Sequence, residues 1–203
     1  MLAELEEIIQ FKRCHDDPEA QAFTKSTWMK RLLGCQRNVE VWQRILKVRS
    51  LVVSPQEDET MWIKFANLCR KSGRFNLAQK TLTSLFGQDP SKGGKDLWIR
   101  YPNVAYSYFK YVWRSGDKQQ AFTQLGAFTE LVLAEVNKGD EEPRIKLPLL
   151  ARCYSKLGEW RRALNEDVSV FSFFSFYILI VFFHEHNQKF FLLVLAPKQP
   201  SNH

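Results

Sequence analysis

Six basic residues recur at matched offsets along this 203-residue chain, and cations placed this way have one ready chemistry, the binding of an anion. Lys71, Arg114 and Lys156 each stand two residues before a glycine, at Gly73, Gly116 and Gly158. Lys110 and Arg152 precede Arg114 and Lys156 by four residues, and Lys64 precedes Lys71 by seven. Offsets of four and seven return to one helix face, so the six form a stripe. Like charges at i and i+4 oppose helix formation by about 0.2–0.5 kcal/mol per pair. A ladder of such pairs, with no Asp or Glu expected on the same stripe, reads as a site for a polyanion. The competing reading is a solvated basic face on a chain of net charge +7.

The elements that must carry this stripe follow from the glycines, which lie about 43 and 42 residues apart. That period belongs to stacked helix pairs rather than to a single-core enzyme. In the first copy Trp62, Phe65, Ala66 and Cys69 recur at helical steps before Gly73, and Ala78, Leu82 and Leu85 follow it until Pro90. In the second, Ala105, Tyr108, Phe109 and Val112 precede Gly116, with Ala121, Leu125 and Phe128 after it. A third has Leu147, Leu150, Ala151 and Tyr154 before Gly158, then Ala163. The spacing predicts an all-α, tetratricopeptide-like helical-repeat solenoid whose first helices line a concave wall. Ser54, Pro55 and Glu57 form a capping box that starts a helix running to about Ser72. Upstream, Leu2, Leu5, Ile8 and Ile9 describe a short amphipathic helix. A longer helix is expected from about Ala20 through Val52, with Trp28, Leu32, Val39, Trp42, Ile45 and Leu46 on its apolar side. Polar breaks at Asp89–Gly94 and Asn137–Pro143 separate the pairs.

Composition narrows the function classes. With 45% hydrophobic residues the chain can bury a sizeable core. Cys14, Cys35, Cys69 and Cys153 show no CxxC pairing and fit reduced thiols. Glu4, Glu6 and Glu7 interrupt any secretory signal at Met1. The pI near 9.3 raises nucleic acid as a partner, but the basic residues lack base-reading or aromatic-interleaved motifs, and no nucleic acid is expected. No glycine-rich phosphate loop, HRD or DFG triplet or GxSxG elbow is present, so no catalytic residue is assigned. His184 and His186 flank Glu185 without a third ligand at useful spacing, and no metal site is assigned.

Four segments carry a family resemblance: GCQRNVEVWQRILKV at 34–48, RSLVVSPQED at 49–58, CRKSGRFNLAQK at 69–80 and ARCYSKLGEW at 151–160. From about Leu2 to about Asn165 the chain resembles the FAT domain of the target of rapamycin (TOR) kinases, which are phosphatidylinositol-kinase-related protein kinases. The resemblance implies a helical solenoid that clamps a kinase domain absent here and holds inositol hexakisphosphate as a structural cofactor. Carried over position by position, the pocket residues are Lys71, Lys110 and Arg152, supported by Arg37, Lys64, Arg114 and Lys156. Arg114 stands where the family pattern has lysine, which keeps charge and changes donor geometry. The parent would be a serine/threonine-protein kinase of the TOR complexes, acting in growth and nutrient response. It would be cytoplasmic and also found at endomembrane or lysosomal surfaces.

The resemblance implies a partial FAT domain over 1–166 and a Phe-rich hydrophobic tail outside the family pattern over 167–203. Half of the chain's 16 phenylalanines fall in that tail. It reads as a truncated product or a gene model running into non-coding sequence. The rival is a membrane anchor within 168–195, although Val168–Phe183 is shorter than the roughly 20 residues a spanning helix needs. The alternative function is an independent helical-repeat adaptor that binds a protein partner in its groove, anchored by this tail.

Overall fold

Proline, glycine and polar caps divide the chain into helices at positions that can be traced residue by residue. The computed structural model describes residues 2–90, 94–137 and 147–164, and every regular element among them is helical. In order these are α1 (Leu2–Arg13), α2 (Pro18–Gly34), α3 (Val39–Arg49), α4 (Glu59–Lys71), α5 (Phe75–Phe86), α6 (Gly94–Arg100), α7 (Pro102–Ser115), α8 (Lys118–Val136) and α9 (Leu147–Ala163). The all-α repeat architecture read from the apolar spacing is the architecture found. The chain divides into two compact units, residues 1–124 and 125–203.

In the first unit α4 and α5 form the helix pair expected around Gly73. Gly73 adopts φ +74°, the left-handed region that residues with a Cβ enter at a cost. Arg74 N–H donates to the Cys69 carbonyl at 2.8 Å and Gly73 N–H to the Arg70 carbonyl at 3.3 Å. These are the two bonds of a Schellman turn, which satisfy carbonyls the end of α4 would otherwise leave open. Gly116 ends α7 at φ +128°, and Asp117 caps α8 by accepting from Gln120 N–H at 2.9 Å.

The core of this pair is built from apolar side chains. Met61, Phe65 and Cys69 of α4 pack with Leu32 of α2, Trp42 and Leu46 of α3, and Ala78 of α5. Fully burying one such large side chain contributes about 1.5–3 kcal/mol. Helix α7 rests on both α4 and α5, with α6 against it, and buries Val104, Ala105, Phe109 and Val112. Trp98 meets Phe109 edge-on at 5.0 Å between centroids, and Phe86 meets Tyr108 in the same manner at 6.1 Å. Contact of one helix with both members of the preceding pair is what stacking of repeats requires.

Several boundaries differ from the sequence reading. The long helix expected from Ala20 through Val52 is two helices, because Gly34 ends α2 and Asn38 starts α3 by accepting from Glu40 N–H at 2.8 Å. The Ser54–Glu57 box forms, with Glu57 N–H donating to Ser54 Oγ at 3.3 Å and Ser54 N–H to Glu57 Oε2 at 3.1 Å. It closes a turn over 55–58, however, and the α-helix begins only at Glu59. In α1 the buried residues are Ile8 and Phe11, while Leu5 and Ile9 are exposed.

The second unit contains the end of α8 and α9. Leu125, Phe128, Thr129 and Val132 are buried on α8, and Leu149, Leu150, Cys153, Leu157 and Trp160 on α9. Gly158 is not a helix breaker: α9 runs unbroken through it. Its register also differs from the third copy expected, since Leu147, Ala151 and Ala163 are exposed. Leu157 and Trp160 continue the apolar face past the glycine, so packing holds the helix through a residue of poor propensity. The tail, with His184 and His186, and most of the 137–143 break lie outside the described residues. Among the described residues no helix is long and apolar enough to cross a membrane.

Candidate anion-binding site

The side chains nominated by sequence come from one loop and three helices. Arg37 is exposed in the connection between α2 and α3. Lys64 and Lys71 are both exposed on α4, away from its buried Met61–Phe65–Cys69 face, with Lys71 the last helical residue. Lys110 is half-buried on α7, its Nζ 4.4 Å from the centroid of the Tyr106 ring, a distance at which a cation is attracted to the ring face. Arg114 is exposed one turn further along α7. In the second unit, Arg152 is exposed on α9 and its Nε donates to the Pro148 carbonyl at 3.3 Å.

Lys156 corrects one expectation. The stripe was read as free of acidic partners, yet Lys156 Nζ pairs with the Glu159 carboxylate one turn away. The offset of three places that glutamate beside the lysine on the helix surface. It lies outside the four- and seven-residue steps that define the stripe.

Packing of α4 on α7 supplies the setting for Lys64, Lys71, Lys110 and Arg114. Asn67 ties the two helices, donating from Nδ2 to the Ile63 carbonyl at 2.9 Å and to Ser107 Oγ of α7 at 3.4 Å. At the start of α4, burial pushes the Glu59 carboxyl above its usual range, against a hydrogen bond to Asn103 of α7. The register misses Arg70, because it sits one residue from Lys71 and so about 100° around the helix. Its guanidinium is half-buried beside α7, and burial, followed by the like charge of Arg114, lowers its pKa. The signal was present in the sequence, as the cation that directly precedes Lys71 in the CRKSG turn.

No cluster of His, Cys, Asp or Glu among the described residues is arranged to hold a metal ion. Cys69 and Cys153 are buried and Cys14 half-buried, while Cys35 is exposed just past α2; all four are free thiols. Burial pushes the Cys69 thiol up to about 11, which leaves it unreactive at neutral pH. A cavity of about 330 Å³ between α1 and α2, bounded by Phe11, Phe23, Trp28 and Arg31, shares no residue with the basic set.

A family model described as the FAT domain matches residues 1–181. The chain belongs to the FAT domain family. The match continues past Asn165, where the resemblance visible in the sequence ended, into the first part of the Phe-rich stretch. This FAT chain is 39% identical over 184 residues to serine/threonine-protein kinase tor1 of Schizosaccharomyces pombe, covering 83% of the chain and 8% of that protein. It is 40% identical over 181 residues to serine/threonine-protein kinase TOR2 of Saccharomyces cerevisiae, covering 81% and 7%. With serine/threonine-protein kinase mTor of Drosophila melanogaster it shares 42% identity over 171 residues, covering 83% and 7%. The FAT chain thus spans less than a tenth of the length of these kinases.

Proposed function

We propose that this chain is a scaffold segment of a TOR kinase, which clamps the kinase domain and binds inositol hexakisphosphate as a structural cofactor. Lys71, Lys110 and Arg152 are the principal ligands, with Arg37, Lys64, Arg114 and Lys156 in support. The intact kinase phosphorylates serine and threonine within the TOR complexes, controls growth and nutrient response, and works in the cytoplasm and at endomembrane or lysosomal surfaces. The observation that carries this reading is the pairing of the FAT match with cations on two packed helices, α4 and α7, among which the described residues place no carboxylate partner for Lys64, Lys71 or Arg114.

Physically, a ligand with six phosphates needs donors from several directions, because each cation neutralises only part of its charge. Drawing them from consecutive helices makes the anion a staple between repeats, and ligand binding then adds to folding stability. At a ligand concentration about 100-fold above Kd the gain is about 2.7 kcal/mol. Thermal melts test this directly: inositol hexakisphosphate raises the Tm of the full chain. The Lys71→Glu, Lys110→Glu double variant keeps its ligand-free melt and loses most of the shift. An unshifted wild-type melt, or an equal shift in the variant, rejects the reading.

A further inference from the structure

Arg49 and Arg70 are two guanidiniums drawn out of water in the first unit, and they are treated differently. Arg49 is 5% exposed and its environment accounts for it: NH1 donates to the Trp28 carbonyl at 3.1 Å, the guanidinium lies 5.2 Å from the Trp28 ring centroid, and Glu4 is 3.9 Å away. Arg70 has no such company. Its NH2 reaches Asn67 Oδ1 at 3.4 Å, a long contact, and its Nε is buried without an acceptor. Among the described residues it enters no ion pair. The charge that bears most on it is another cation, Arg114 of α7.

Buried polar groups are normally satisfied, and a guanidinium left open beside a second one is an arrangement that an anion would complete. Tyr106, which also acts on Arg70, holds the Lys110 ammonium over its ring. Packing of α4 on α7 therefore brings two forked donors and a point charge onto one helix pair. Forked donors match phosphate oxygens two at a time, which an ammonium does not.

We propose that Arg70 is a further ligand of the phosphorylated anion, and that Arg70 from α4 and Arg114 from α7 engage the same phosphate group. This rests on the reading that the basic residues of α4 and α7 bind a polyphosphorylated inositol. It adds a residue outside the stripe and fixes which helices a single phosphate joins. Side-chain packing alone would make Arg70 a stabilising residue. Ligation instead makes it a cost to the empty protein that the bound anion removes.

The test uses the full chain, titrated calorimetrically with inositol hexakisphosphate and melted without it. Arg70→Gln is expected to bind roughly tenfold more weakly, with a ligand-free Tm equal to or above that of wild type, because desolvation and repulsion from Arg114 are relieved. Arg70→Lys keeps charge without the fork and falls between the two in affinity. If Lys110→Glu abolishes binding while Arg70→Gln binds as wild type does, the role of Arg70 is wrong and the stripe reading stands. If Arg70→Gln lowers the ligand-free Tm below that of wild type, Arg70 is structural and the proposal is overturned. Absence of binding by wild type overturns both.

Discussion

Among single residues, Arg49 shows how much one buried charge can hold together. It joins α3 to the Trp28 carbonyl of α2 and to Glu4 of α1, while Trp28 Nε1 donates to Glu7 at 2.8 Å and Arg31 pairs with the same carboxylate. Removing Arg49 takes away the donor to the Trp28 carbonyl and the cation beside the partly exposed Glu4. Arg49→Ala is therefore expected to destabilise the first unit by about 2 kcal/mol, read from denaturant midpoints. Glu7 gives the network a pH signature. Burial raises its pKa, but the hydrogen bonds from Arg31 and Trp28 and the attraction of Arg31 and Arg49 outweigh burial and leave it below the usual range. A carboxylate depressed on folding stabilises above its unfolded pKa, and that contribution is lost as pH falls through the folded value. Asp58 moves the other way, raised by burial against the pull of Arg49 and Lys25, so its cost is relieved as pH falls. Glu7→Gln isolates the first effect: it lowers the urea midpoint at pH 7, and the loss shrinks as pH falls below the usual carboxylate range. A loss that stays constant with pH would mean that Glu7 acts by packing. None of this network was legible in the sequence, where Arg49 appeared only as the start of the RSLVVSP string, because its partners come from two other helices.

For whole helices, the three glycines that set the repeat period prove to be of two kinds. Gly73 and Gly116 have positive φ, whereas Gly158 lies within α9 and a Cβ built there meets nothing within 4 Å. Opposite substitution effects are expected. Gly73→Ala forces a Cβ into the left-handed region and costs about 1–2 kcal/mol, while Gly158→Ala removes a poor helix former and stabilises α9 by about 0.5–1 kcal/mol. Melts of Gly73→Ala, and amide exchange across α9 for Gly158→Ala, check the pair. Period alone could not separate them, since a glycine two residues after a cation looks the same in a turn and in a helix. The difference lies in the flanking apolar residues. Beyond Gly73 the next apolar contacts start a new helix on a new axis, whereas Leu157 and Trp160 on either side of Gly158 keep the old one. The core residues of α4, α5 and α7 were legible because three- and four-residue spacing is a local property. The Gly34–Asn38 break was not, because the apolar spacing of α2 and α3 runs almost in phase across it, and only the Asn38 cap marks the restart.

At the level of the entire molecule the excess of cations matters more than any pair. A chain of net charge +7 repels itself when compact, and salt screens that repulsion over roughly 8–10 Å at 0.1–0.15 M. Raising KCl from about 50 to 500 mM should therefore raise the ligand-free Tm and, on the proposed reading, shrink the shift produced by inositol hexakisphosphate, since the same ions that quiet the protein would compete with that ligand. A ligand-induced shift that is indifferent to salt would mean that the anion is held by something other than charge. The Schellman turn at Gly73 carries one more consequence. Arg70 and Lys71 occupy the last turn of α4, where aligned peptide dipoles leave about half a negative charge. Arg114 has the same berth at the end of α7. The cations are thus partly neutralised by the protein's own backbone, which lets them crowd together. On the proposed reading an arriving anion would meet carbonyl ends rather than amides, so a lone phosphate would gain little there, and occupancy would be reserved for molecules dense enough in charge to engage several outstretched side chains at once.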